Sequence, residues 1–86
     1  MRNPKYKIGT LLKVNDPWDG QGQIVVAGYF PMAEEYESRP GQIVRNEYWM
    51  YDLMYLGKKG KTIAQTALWL EQMIDDKKIE VASTPN

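Results

Sequence analysis

The sequence has 86 residues, 43% of them hydrophobic and 26% charged, and its 11 basic and 11 acidic side chains give a formal net charge of zero. This length and composition predict one globular domain, and zero net charge argues against a protein that works mainly through phosphate contacts. The sequence contains neither cysteine nor histidine, which excludes disulfides, zinc sites built on thiolate or imidazole, and nucleophile–histidine pairs within one chain.

The sequence also indicates no metal site, cofactor or membrane segment. It has no Asp-rich loop of the calcium-binding type, and its longest apolar run is far shorter than the ~20 residues of a membrane span. The first residues are polar and basic and lead into no apolar signal region. We therefore expect a cytoplasmic protein without a cofactor.

The first third of the chain predicts two strands. Residues 1–7 form a short N-terminal arm, and the loosely alternating residues 8–14 predict the first strand. Residues 15–22 are dense in turn formers and predict a loop. Residues 23–30 are rich in β-branched side chains and predict the second strand, in which the isolated Gly28 indicates a bulge or a bend.

The middle of the chain predicts a long loop and then a central strand. Residues 31–42 break the strand pattern, and a loop of this length is more often functional or mobile. The next strand begins at Ile43 and continues through residues 47–56, which hold four of the ten aromatic residues. Aromatic side chains favour a pleated, half-buried surface, so this stretch is predicted to be the central strand. Residues 57–60 then turn the chain.

Residues 61–63 predict a short fourth strand, after which apolar residues recur at helical spacing. These apolar residues are Ala67, Leu70, Met73 and Ile74, with Trp69 beside them. Two threonines are candidate N-caps of this helix. One is Thr62, in a capping box with Gln65, and the other is Thr66, one turn later. The helix is predicted to end at residues 75–78.

A last short strand is predicted at residues 79–81, and residues 83–86 are expected to be a flexible tail. The element order is therefore β-β-β-β-α-β. No repeat or second domain is visible, so residues 1–86 are predicted to form a single, mainly β (α+β) domain.

Several short motifs resemble the SH3-like small barrels and small proteins of tailed bacteriophages. They are the glycine-led strand at residues 9–14, the G-x-I-V stretch within residues 22–26, the aromatic residues 48–51, and a W-L-E…I-E-V ending over residues 69–81. The resemblance covers residues 8–82 and implies a five-stranded, bent antiparallel sheet or SH3-like barrel with one helix before the last strand. It also implies a viral origin, with action in the host cytoplasm.

The first candidate site is Trp18, which lies in a turn-rich loop between Asp16 and Asp19. In peptide-binding SH3 domains, the corresponding loop carries acidic residues, and aromatic rings line the groove for a polyproline segment. Trp18 is therefore a candidate recognition residue. The alternative is that its ring folds back as a lid on one end of the barrel, because large aromatic side chains are mostly buried.

The second candidate site is one face of the aromatic strand. A period of two places Tyr48, Met50 and Met54 on the same face as Asp52, whose charge indicates that this face points outward. Tyr48, Met50 and Met54 then form an apolar patch that a monomer does not normally expose. Either the helix covers the patch, or the patch binds a protein partner or a second copy in a homodimer.

The third candidate site is basic. Lys5 and Lys7 lie in the N-terminal arm, and Lys58, Lys59 and Lys61 lie in one turn. If the arm packs beside the turn, these lysines form a positive face for single-stranded nucleic acid, with tyrosines available for stacking. The alternative is two separate solvated segments.

No pairing of carboxylates with a nucleophile indicates catalysis. The sequence therefore favours a non-enzymatic module that binds a protein partner or itself, with a nucleic-acid-binding small barrel as the alternative. A structural component of a larger assembly is a third hypothesis, because a net charge near zero favours association.

Overall fold

The computed structural model describes residues 3–15, 22–57 and 61–85. In these residues the chain forms five strands and one helix in the predicted order. They are β1 (Leu11–Val14), β2 (Gln23–Arg39), β3 (Gln42–Tyr55), β4 (Thr62–Thr66), α1 (Ala67–Asp75) and β5 (Ile79–Ser83). The mainly β class and the position of the helix are confirmed. β1 is shorter than predicted because Ile8 and Gly9 form a turn before it, with Gly9 at a φ of +97°.

The five strands form one open sheet in the order β4-β3-β2-β1-β5, and every neighbouring pair is antiparallel. A closed barrel would need its two edge strands, β4 and β5, to pair with each other. Instead, α1 carries the chain from one edge strand to the other. The SH3-like barrel is therefore not found in the described residues, which form an open five-stranded antiparallel sheet instead.

The core lies between α1 and one face of the sheet, which we call the inner face. Its fully buried hydrophobic side chains are Leu12, Ile24, Val26, Tyr51, Leu53, Leu70 and Ile79. Leu70 of α1 packs among strand residues, and Trp69, Met73 and Ile74 pack against the same cluster. Each fully buried side chain of this size contributes about 1.5–3 kcal/mol to folding. This burial fixes α1 on the inner face.

Both ends of α1 are capped by local hydrogen bonds. The N-cap is Thr66, whose Oγ1 accepts from the Trp69 N–H at 3.1 Å. The capping box at Thr62 and Gln65 is wrong, because both residues belong to β4. The helix ends within the predicted residues 75–78, where Lys77 adopts a φ of +61°.

The strands β2 and β3 pair along their whole length, from Ile24↔Tyr55 to Arg39↔Gln42. The predicted loop at residues 31–42 is therefore wrong, and only Pro40 and Gly41 form the turn. A proline followed by a glycine at positive φ, here +81°, is the preferred pair for a type II turn. The bulge expected at Gly28 is confirmed, since the register shifts between Val26 and Gly28.

The distal part of the β2–β3 hairpin projects from the body. β1 pairs with β2 only as far as Val25, and β4 pairs with β3 only as far as Met50. Residues 31–49 therefore form a two-stranded segment, which we call the ribbon. The radius of gyration is 15.2 Å, against about 12 Å for a compact chain of this length. The exposed surface is 6438 Å², against about 5,200 Å² for a compact monomer of this mass.

Candidate interaction surface

The face of the sheet opposite α1, which we call the outer face, carries a row of apolar side chains. The register pairs Met50 with Phe30, Tyr48 with Met32, and Met54 with Val25. Directly paired residues of neighbouring strands share a face. The three predicted residues of β3 therefore lie together, and three residues of β2 join them.

The helix does not cover this row. α1 packs with Tyr51 and Leu53, which alternate with Met50 and Met54 along β3 and point to the inner face. The alternative in which the helix covers the predicted patch is therefore wrong. The side chains of Phe30, Tyr48, Met50 and Met54 are half-buried by their neighbours, and Met32 is 42% exposed.

The apolar surface continues onto the start of α1. Leu68 is 75% exposed, and it lines a cleft with Tyr48, Thr66, Glu34 and Asn46. This cleft lies where β4 ends and the ribbon leaves the body. Leu68 was not predicted as a site residue, because the helical spacing identifies only the residues that face the core. The sequence signal for Leu68 is that it is apolar but does not lie at the helical spacing of the core residues.

The outer face carries one acidic side chain among these apolar residues. Asp52 pairs with Gly28, and a Cβ built on Gly28 would lie 3.6 Å from Asp52 Oδ2. Because glycine has no side chain, β2 places no Cβ against this carboxylate. A partner on this face therefore meets an apolar surface with one negative charge near its middle.

The inner side of the ribbon is polar and ion-paired. Arg45 lies 2.9 Å from Glu47 and 3.3 Å from Glu35, and the hydrogen bond and charge of Glu47 raise the pKa of the arginine. All three side chains are about half exposed, so these ion pairs contribute little to stability. Nearer the body, the rings of Tyr29 and Trp49 meet edge to face at 5.4 Å.

The described lysines of the basic candidate site have separate surroundings. The Lys5 ammonium lies 5.6 Å from the Tyr6 ring centroid. The carbonyl oxygen of Lys7 accepts from Thr10, and that of Lys61 accepts from the Tyr55 N–H. Within the described ranges, no hydrogen bond joins the arm to Lys61.

Several predicted residues lie outside the described residues. They are Asp16, Trp18, Asp19, Lys58 and Lys59. Their roles in peptide or nucleic-acid recognition stay predictions.

Two further observations concern the classes of site considered from the sequence. Among the described residues, no group of three or more acidic side chains is arranged to hold a metal ion. α1 has nine residues, so the described helix is too short to cross a membrane.

No protein-family model, curated protein or solved structure matches this chain. The resemblance to SH3-like barrels and phage proteins therefore depends on the short sequence motifs alone.

Proposed function

We propose that this chain is a non-enzymatic protein-interaction module that binds a protein partner through the outer face of its sheet. The observation that carries this proposal is the apolar row of the outer face, which includes Phe30, Tyr48 and Met50 and which α1 leaves uncovered. Burial of apolar surface is favourable by about 25 cal/mol per Å². Aromatic residues and methionine are also enriched in protein interfaces.

The charge distribution favours a protein over a nucleic acid. The ribbon carries four glutamates and two arginines, a net charge of −2, so the rest of the chain carries +2. Residues 31–43 of the ribbon are all exposed, and a negative ribbon repels a phosphate backbone. The outer face itself presents Asp52 among apolar side chains. No described contact favours the nucleic-acid alternative.

The test is partner recovery with one charged substitution inside the row and one at its rim. Met50→Glu places a carboxylate at the centre of the apolar row, where an interface excludes water and an unpaired charge is strongly unfavourable. Thr62→Glu adds the same charge on the same face, at the exposed edge strand β4, where Thr62 pairs with Met54 at the end of the row. Rim charges contribute little to affinity.

We expect the immobilised wild-type chain to recover a partner from an extract of its source cells. Met50→Glu should lower the recovery at least about tenfold, and Thr62→Glu should leave it nearly unchanged. Far-UV circular dichroism and thermal melting of both variants confirm that the fold is retained. Equal recovery by wild type and Met50→Glu, or no partner with the wild-type chain, would contradict the proposal.

A further inference from the structure

The acidic residue of the outer face, Asp52, has only small residues directly beside it. The register pairs Asp52 with Gly28 on β2 and with Ala64 on β4. Glycine has no side chain and alanine ends at its Cβ, so neither paired residue reaches as far as the carboxylate. The half-buried Asp52 is therefore not covered by the residues paired with it on the two neighbouring strands.

The rows of paired residues on either side of Asp52 are uncharged. They are Phe30, Met50 and Thr66 in one direction along the sheet, and Val25, Met54 and Thr62 in the other. Among the described residues, no hydrogen bond or ion pair engages the Asp52 carboxylate. The described part of the chain therefore supplies no counter-charge for Asp52.

A partner on the outer face has to cover this carboxylate. Asp52 lies between Met50 and Met54 along β3, so a surface that buries both methionines buries Asp52 as well. Taking an ionised carboxylate out of water without a counter-charge is strongly unfavourable. An arginine or lysine of the partner offsets this cost, because it supplies both the opposite charge and hydrogen-bond donors.

The form of the partner follows from the backbone around Asp52. β3 is hydrogen-bonded to β2 on one side of this residue and to β4 on the other. An extended segment lying on the face would find no free backbone groups there, whereas a helix pairs its own backbone groups internally. One helical turn of four residues advances about 6 Å, and two residues of a strand advance about 6.7 Å. A helix therefore matches both the hydrogen bonding and the spacing of the outer face.

We propose that the outer face binds an amphipathic helix of a partner protein, whose apolar stripe contains one arginine or lysine that pairs with Asp52. Apolar side chains one turn before and one turn after this cation then lie against Met50 and Met54. Charge complementarity selects this occupant, because an apolar helix without the cation would bury Asp52 unpaired. The inference rests on the proposed function, since it names the chemistry of the partner that the outer face binds.

The test is a double-mutant cycle with two synthetic peptides. Both peptides are fluorescently labelled amphipathic helices with leucines spaced three and four residues apart, and they differ only at the centre of the apolar stripe. One peptide has arginine at this position, and the other has methionine, which is of similar length but uncharged. Fluorescence anisotropy with the full chain measures the four dissociation constants.

The wild-type chain should bind the arginine peptide at least about tenfold more tightly than the methionine peptide, because only arginine pairs with Asp52. Asp52→Leu should reverse this preference, since the arginine then becomes the unpaired charge. Asp52→Asn keeps the size and polarity of the side chain, and it should weaken binding of the arginine peptide at least about tenfold. Thermal melting of both variants checks that the fold is retained.

The matched control for net charge is Glu80. This exposed residue pairs with Lys13 on the outer face, but it belongs to the edge strand β5. Glu80→Gln removes one negative charge, as Asp52→Asn does, and should change the affinity for the arginine peptide by less than about twofold. Equal losses for Glu80→Gln and Asp52→Asn would indicate a general attraction for a cationic peptide and would overturn the inference.

The remaining outcomes separate this inference from the proposed function. A wild-type chain that binds both peptides equally, or prefers methionine, would overturn the ion pair at Asp52. A wild-type chain that binds neither peptide would overturn the helix. In both cases, recovery of a partner that Met50→Glu abolishes would leave the outer-face proposal standing. Self-association in light scattering that Met50→Glu prevents would place a second copy on the outer face, and would likewise overturn the inference.

Discussion

The backbone N–H of Tyr6 donates a 3.0 Å hydrogen bond to the hydroxyl of Tyr51, and the two rings lie 6.2 Å apart. Tyr51 is fully buried in the middle of β3. Its hydroxyl therefore links a segment near the start of the chain to the central strand, across 45 residues of sequence. This contact holds the N-terminal segment over the inner face, next to the core.

Tyr51→Phe should lower the free energy of unfolding by about 1–2 kcal/mol, because it removes the hydrogen bond and leaves the Tyr6 N–H without that acceptor. Urea unfolding at neutral pH measures the difference. Tyr36→Phe is a suitable control, since Tyr36 is 53% exposed on the ribbon. A loss for Tyr51→Phe no larger than that of the control would show that the hydroxyl contact contributes nothing.

The same residue predicts a loss of stability at alkaline pH. Burial raises the pKa of Tyr51 above its ordinary value, while the hydrogen bond from Tyr6 acts in the opposite direction. Above about pH 10 the unfolded chain therefore loses this proton while the folded chain keeps it. The stabilisation from neutral Tyr51 is complete below about pH 10, and it is lost as the pH rises through the folded-state pKa. The stability difference between wild type and Tyr51→Phe should therefore shrink above pH 10.

Two leucines of α1 should respond differently to truncation. Leu70 is fully buried in the core, whereas Leu68 is 75% exposed. Leu70→Ala should destabilise the chain by about 2–5 kcal/mol, because it removes apolar contacts and leaves a cavity. Leu68→Ala should change stability by no more than about 0.5 kcal/mol. Thermal or urea unfolding of both variants checks the orientation of the helix, and equal effects would contradict it.

The N-cap of α1 can be tested with two threonines. Thr66→Ala should cost about 0.5–2 kcal/mol, because the Trp69 N–H loses its acceptor. Thr62→Ala should change stability by at most about 0.5 kcal/mol, since this threonine is exposed on the edge strand β4. Helical circular dichroism and chemical unfolding measure both effects. A larger loss at Thr62 would favour the capping box, which was the other candidate from the sequence.

The C-terminus of α1 offers a stabilising substitution. The N–H of Lys78 donates to the Met73 carbonyl and that of Lys77 to the Ile74 carbonyl, which is the Schellman arrangement. Lys77 occupies the left-handed position with a φ of +61°, where a side chain costs about 1–2 kcal/mol. Lys77→Gly should therefore raise the melting temperature, by an amount equivalent to about 1 kcal/mol.

The control for that substitution is its neighbour. Lys78→Gly should lower stability by about 0.5–1 kcal/mol, because Lys78 has no positive φ and glycine adds only backbone freedom. If both glycine variants destabilise the chain equally, strain at Lys77 is not the reason that the helix ends there.

The sequence predicted the elements whose patterns are local. The bulge at Gly28 and the alternation of Tyr48, Met50 and Met54 follow from neighbouring residues alone. The ribbon was not predicted, because both of its faces are exposed to solvent. The residues from Glu34 to Glu37 therefore show no alternation of apolar and polar side chains. Closure of the sheet into a barrel depends on pairing between strands that are distant in the sequence, and no short motif predicts that pairing.

The candidate surface was predicted on β3 but not on β2. Whether Tyr29 or Phe30 joins the outer face depends on the bulge, which adds one residue to β2 and reverses the parity of every residue after it. Phe30 therefore faces outward beside Met50, and Tyr29 faces inward beside Trp49. Such a reversal is visible only once the register is known.

Among the described strands, residues 35–45 in the distal half of the ribbon pair only with each other. Each residue of a strand adds about 3.3 Å, so inserting or deleting two residues in both strands would change the reach of the hairpin by about 7 Å. The proximal side chains would keep their faces, and the core beneath α1 would be unaffected. The reach of this chain towards a partner can therefore vary between related sequences without loss of fold stability.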